Sequence, residues 1–127
     1  MYDIIQSYKK KYDDKFKKFA ELNQIHLNDS HPAISSVELL RILVDEEMLS
    51  FEEAWKVTYQ TFSYACYATD DSGIRFTSCE ILEKLLPRHL DLIFAINQMY
   101  VNKLEQKYPG DYEKMSKMSL IEEGYPK

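Results

Sequence analysis

Chemistry that the first residues could carry lies in their lysines. Within residues 8 to 18, YKKKYDDKFKK, Lys9, Lys10, Lys11, Lys15, Lys17 and Lys18 stand against only Asp13 and Asp14, a local charge of +4 in a chain of formal net charge -5. Ammonium groups crowded in this way gain by displacing counterions from phosphates, so the run offers a basic arm to RNA or to an acidic partner. It serves equally well as one solvated helix face. Tyr8, Tyr12 and Phe16 interleave with these lysines as an aromatic stripe that could stack on bases, turn inward, or face a protein partner.

Other reactive types fall into less productive patterns. His26, His31 and His89 form no HExxH motif, and three glycines build no phosphate-cradling loop, which removes the zinc-hydrolase and nucleotide-loop classes. Cys66 and Cys79 make no CxxC pair and read as reduced packing thiols. Glu46 with Glu47, and Glu122 with Glu123, are neighbours on expected helices, point in different directions, and read as surface charge. The ten tyrosines read as packing and contact residues.

These side chains must be positioned by mostly helical elements. Ile4, Ile5, Tyr8, Tyr12, Phe16 and Phe19 recur at spacings of three and four, which predicts one amphipathic, lysine-rich helix over residues 1–21. Residues 22–27, LNQIHL, are the one strand expected, and Asn28, Asp29, Ser30 and Pro32 cap a turn after it. Ser35 with Glu38 and Ser50 with Glu53 have capping-box spacing, which predicts helices to about Leu49 and about Ala65. Residues 68–78 read as a loop, and Thr77 with Glu80 opens the next helix. Pro87 breaks that helix near Leu86; another then runs to about Tyr108, Pro109 and Gly110 end it, and a short helix follows Asp111. The expectation is a mainly α chain of five to six helices and at most one short strand, arranged as 1–21 and 22–127. A lone strand cannot satisfy its own backbone, so its partner strands should come from elsewhere.

At 127 residues, 45% hydrophobic and 29% charged, the chain has the size and balance of one folded domain. It contains no apolar run of membrane-spanning length and no secretory leader, from which a cytoplasmic protein without a membrane partner is expected.

Several longer segments, in order, carry a resemblance: DIIQSY (3–8), LNDSHP (27–32), ELLRILVDEE (38–47), AWKVT (54–58), LLPRHLDLIFAINQMYVNKL (85–104), YPGD (108–111) and MSLIEEG (118–124). Together they resemble the alpha-glucan phosphorylases, the glycogen and starch phosphorylase family, near the end of the Rossmann-like α/β N-terminal catalytic domain. Nearly the whole chain takes part. It departs most between about Lys9 and Glu21, where the lysine-rich stretch replaces a family loop.

The resemblance implies that the turn at 27–32 follows a sheet strand and that Asn28, Asp29 and His31 lie at a glucan cleft, Ser30 standing where the family has threonine. A carboxylate and an imidazole two residues apart can both hydrogen-bond a polyol. The family's Tyr-Thr-Asn-His-Thr run, whose histidine touches the sugar, is matched here by Tyr64, Ala65, Cys66, Tyr67 and Ala68, with Tyr67 at the histidine position. The Pro-Glu-Ala and Glu-Arg-Trp-Pro features are replaced by Asp71 to Ser78. The pyridoxal phosphate lysine and the phosphate-holding basic cluster of the family have no counterpart here, so no cofactor is expected in this chain. Phosphorolysis needs both a held phosphate and stabilisation of charge at the anomeric carbon.

The leading expectation is therefore a noncatalytic phosphorylase-like chain that acts as a structural or interaction subunit of a larger assembly. It would dock through Tyr8, Tyr12, Phe16 and the six lysines, and the assembly could contain RNA, as a ribosome does. The alternatives are a piece of a split or truncated phosphorylase that works with its missing domains, and a glucan-binding module that keeps Asp29 and His31.

Overall fold

The computed structural model describes residues 1–65 and 77–122 and divides the chain into two compact units, Met1–Ser78 and Cys79–Lys127. The boundary expected at residue 21 is not where the chain divides. Ile5 and Phe19, from the supposed arm, are fully buried in the first unit.

Helix α1 spans Tyr2–Lys9 and stops there, although the apolar spacing continues. The carboxylate of Asp14 captures groups that a continuing helix would need elsewhere. It accepts the Tyr8 hydroxyl at 2.5 Å and the Lys18 backbone N–H at 3.2 Å. Lys15 and Phe16 then take left-handed φ values of 51° and 65°, which closes a turn over residues 10–18. Aspartate favours turns for this reason: its short side chain competes for backbone donors. The predicted single helix over 1–21 is corrected to α1, this turn, and α2 (Phe19–Leu22). The aromatic periodicity is nevertheless used. Tyr8 stacks on Tyr12 and Phe16 at centroid separations of 5.0 and 5.6 Å, and meets Phe19 edge-on at 5.1 Å.

Strand β1 is Ile25–Asn28, shifted toward the turn from the expected 22–27 because Leu22 belongs to α2. Its partner comes from within the chain. Residues Phe62–Ala65, expected as a helix end, leave the helix at Phe62 (φ −100°, ψ 138°) and form β2, parallel to β1 with Ile25 opposite Phe62 and Asn28 opposite Ala65. A helical crossover joins parallel neighbours, as parallel pairing requires. The crossover consists of a 3-10 turn at His31–Ala33, helix α3 (Ile34–Arg41), a π-helical turn at Ile42–Glu46, and helix α4 (Phe51–Thr61). Both outer edges of this two-stranded sheet are open among the described residues.

Ser50 caps α4 as expected, with its hydroxyl accepting from the Glu53 N–H and the Glu53 carboxylate accepting the Ser50 N–H. Ser35 does not cap α3. The 3-10 turn already starts that helix, and the Ser35 hydroxyl donates to the Pro32 carbonyl instead. The first unit buries Leu39, Leu40, Ile42, Leu43 and Ala54 beneath the α2–α4 and α3–α4 contacts.

Glu46 and Glu47 are more than surface charge. Glu46 accepts from the Tyr2 hydroxyl and from Arg41, while Glu47 pairs with Lys9 at 2.7 Å, so the end of the π-helical turn and the residue after it hold both ends of α1.

In the second unit α5 (Cys79–Leu85) and α6 (Pro87–Lys107) meet at Leu86, where Pro87 occupies the first turn of α6 and needs no helical acceptor. Gly110, at φ 81°, supplies the left-handed residue after α6, and the Asp111 side chain caps α7 (Tyr112–Met118). Cys79 is exposed, which corrects its reading as a packing thiol; Cys66 and residues 68–76 of the loop expected over 68–78 lie outside the described residues. The chain is mainly helical, with seven α-helices and one parallel strand pair among the described residues.

Candidate functional site

The expected sugar-site residues sit where β1 ends. Asn28 is its last residue, opposite the end of β2, and Asp29 follows with φ 81°, held to the sheet by its N–H donating to the Ala65 carbonyl at 3.0 Å. Aspartate tolerates this left-handed backbone better than most side chains because it can bond locally. Its Oδ1 accepts the Ser30 N–H at 2.6 Å, and its Oδ2 lies 3.3 Å from His31 Nδ1. The Ser30 N–H, and after it the neighbouring His31, hold the Asp29 carboxyl below its usual pKa, so it is an acceptor at neutral pH.

Asn28, Asp29 and His31 are therefore brought together. They lie on the surface, with the Asp29 and His31 side chains 54% and 56% exposed. An open carboxylate–imidazole pair can orient hydroxyl groups, but it cannot exclude water or compress a reacting bond. The other half of the expected sugar site is partly visible: Tyr64 and Ala65 end β2, while Tyr67 lies outside the described residues.

A neighbouring polar pair was not foreseen. His26 Nδ1 lies 2.9 Å from Ser63 Oγ across the strand pair, as the register places His26 beside Ser63. Only a correct reading of β2 as a strand could have disclosed it, and Phe51 to Phe62 carry helical spacing right up to its start.

The expected docking residues separate. Tyr8 and Phe16 are 4% and 5% exposed, so these two rings fill the first unit's interior and do not present themselves to a partner, which corrects that part of the expected docking surface. Tyr12 keeps 38% of its surface. Lys10, Lys11, Lys15, Lys17 and Lys18 are exposed on the turn, and Lys9 is taken up by Glu47. Burial first, and then the hydrogen bond to Asp14, push the Tyr8 phenol up to about 12.

A lysine that forms a Schiff base needs a closed, desolvated pocket. Every lysine among the described residues is exposed. Nor does any group of three or more His, Cys, Asp or Glu among the described residues suit a metal ion. No described helix is long and apolar enough to cross a membrane.

Helices crossing over between parallel strands, with polar side chains at the strands' carboxyl ends, define a piece of α/β architecture. The chain belongs to the carbohydrate phosphorylase family, whose family model matches residues 1–127. It is 41% identical over 109 residues to the muscle form of glycogen phosphorylase from Ovis aries, covering 86% of this chain and 13% of that protein. Identity to the brain form of glycogen phosphorylase from Homo sapiens is also 41% over 109 residues, with the same two coverages. Glycogen phosphorylase 2 from Dictyostelium discoideum is 39% identical over 121 residues, 95% of this chain and 12% of that protein. The chain thus spans only 12 to 13% of the length of these relatives.

Proposed function

We propose that this chain is the glucan-contacting piece of a carbohydrate phosphorylase, idle alone and competent when the remaining parts of such an enzyme close the cleft around it. The observation that carries this reading is the Asp29–His31 pair at the carboxyl end of β1, 3.3 Å apart and open on one side. Binding sites of open parallel sheets lie just outside the strands' carboxyl ends. A pair so exposed becomes selective for a sugar only when walls from elsewhere remove water from it.

The open sheet edges support the same reading, since a parallel sheet is ordinarily covered and extended on both sides. So do the apolar side chains that the second unit leaves on its surface, with Ile81 53%, Leu85 72% and Leu120 62% exposed. In this reading further phosphorylase domains cover them, and the cofactor chemistry comes from those domains. An RNA-containing assembly draws no support from relatives that are glycogen phosphorylases.

The test has two arms. Titrating maltoheptaose should shift the His31 ring resonances, and Asp29→Asn should weaken the response. Mixing the chain with the complementary portion of a glycogen phosphorylase and pyridoxal phosphate should then release glucose 1-phosphate from glycogen. A silent His31 combined with an inactive mixture would remove the reading.

A further inference from the structure

Helix α4 buries Ala54, Thr58 and Thr61 along one side and carries on another an aromatic pair that the site at β1 does not use. Trp55 and Tyr59 stack with ring centroids 6.0 Å apart and planes inclined by 43°. The Tyr59 ring is 72% exposed, and Trp55 is partly exposed. A spacing of four sets the two rings one turn apart on the same stripe of the helix. Glu52 and Lys56, both exposed, stand three residues before Trp55 and Tyr59 in turn, on that same stripe. An apolar surface bordered by a hydrogen-bond acceptor and a donor results.

Size and charge decide what can occupy it. A stable protein interface buries about 1,200 Å² or more in total and keeps Lys and Glu from its centre, whereas one aromatic side chain offers at most roughly 250 Å². A nucleic acid needs several cations against its phosphates, and here Glu52 offsets Lys56. A sugar ring meets both conditions: one face of a pyranose carries C–H bonds that lie against an aromatic ring, and its rim carries hydroxyls for a carboxylate and an ammonium group. We infer that the Trp55–Tyr59 pair is a second glucan contact of this chain, holding a glucosyl unit against α4 while Glu52 and Lys56 bond its hydroxyls. The ligand class of this contact rests on the function proposed above; its place on α4 does not. Both rings sit inside a helix that the Ser50 cap already fixes, so little freedom is lost when the sugar arrives.

Trp55 is the sole tryptophan of the chain, so its fluorescence reports this place alone. Maltoheptaose titrated into the full chain at pH 7 should change the Trp55 emission saturably, whereas sorbitol, an open-chain polyol without a pyranose face, should not. Tyr59→Ala should weaken this binding by about fivefold, the worth of one aromatic contact, and Tyr59→Phe by under about twofold. Asp29→Asn should leave it unchanged. Unaltered far-ultraviolet circular dichroism of each variant excludes loss of fold as the cause. A His31 response to maltoheptaose with a silent Trp55 overturns the second contact and leaves the site at β1 standing; a Trp55 response with a silent His31 does the reverse. Silence at both removes both. An equal response to sorbitol, or equal affinity of the parent and Tyr59→Ala, overturns the stacking. Emission that follows protein concentration and not sugar assigns the rings to a second copy of the chain and overturns the glucan contact as well.

Discussion

Tyr8 shows how one hydroxyl can organise several neighbours. It is buried, it donates to Asp14, and its oxygen accepts the Lys18 N–H at 3.2 Å. The Tyr8 hydrogen bond is the largest cause of the lowered Asp14 pKa. For Tyr8 the folded pKa of about 12 lies above the ordinary 10.0, so its contribution to stability is complete below pH 10 and is lost as pH rises through 12. For Asp14 the folded value lies below 3.8, so its contribution is present above that pH and is lost as pH falls through the depressed value. Tyr8→Phe should cost about 1–3 kcal/mol in urea unfolding at pH 7, and its gap from the parent should narrow between pH 10 and 12. Thr58 presents the opposite case, since its hydroxyl is buried with no hydrogen-bond partner among the described residues. Thr58→Val removes the stranded group at nearly constant volume and should raise stability by about 1 kcal/mol in the same assay.

At the scale of elements, the turn over residues 10–18 and the start of α4 make contrasting predictions. Lys15 has φ 51°, a conformation that costs a non-glycine residue roughly 1 kcal/mol, so Lys15→Gly should leave thermal stability unchanged or raise it slightly. Ser50→Ala loses the cap on α4 and should cost about 1 kcal/mol by denaturant titration. The second outcome could be anticipated from Ser50 and Glu53 alone, because a capping box is a local contract between residues three apart. Pro87 and Gly110 were legible for the same reason. The turn after Lys9 was not, because its cause is one carboxylate reaching both six residues back and four forward, against an apolar spacing that still looked helical. Strand β2 was hidden too: Phe62, Ser63, Tyr64 and Ala65 are strand because β1 lies beside them, a contact separated by more than thirty residues of crossover. Of the candidate site, Asn28, Asp29 and His31 could be placed from the turn and the family pattern. The His26–Ser63 contact could not, since it needs the register.

At the scale of the whole molecule, the two units Met1–Ser78 and Cys79–Lys127 differ in what holds them. The first carries the aromatic stack, the clamp on α1 and most of the fully buried side chains; the second rests on Leu90, Leu92, Leu104 and Met115. Hydrogen exchange should accordingly find the slowest amides in α3 and α4, and faster exchange in α5 and α7. The strand pair adds one more property. A ladder with free rungs on both rims is a template for any extended backbone that drifts alongside, and β1 and β2 offer neither proline nor lysine to repel one. Kept apart from larger companions, the polypeptide should therefore self-associate as its concentration rises. Light scattering would register this as mass growing with dilution reversed, and lysine substituted for Ser63 on the exposed face should suppress it.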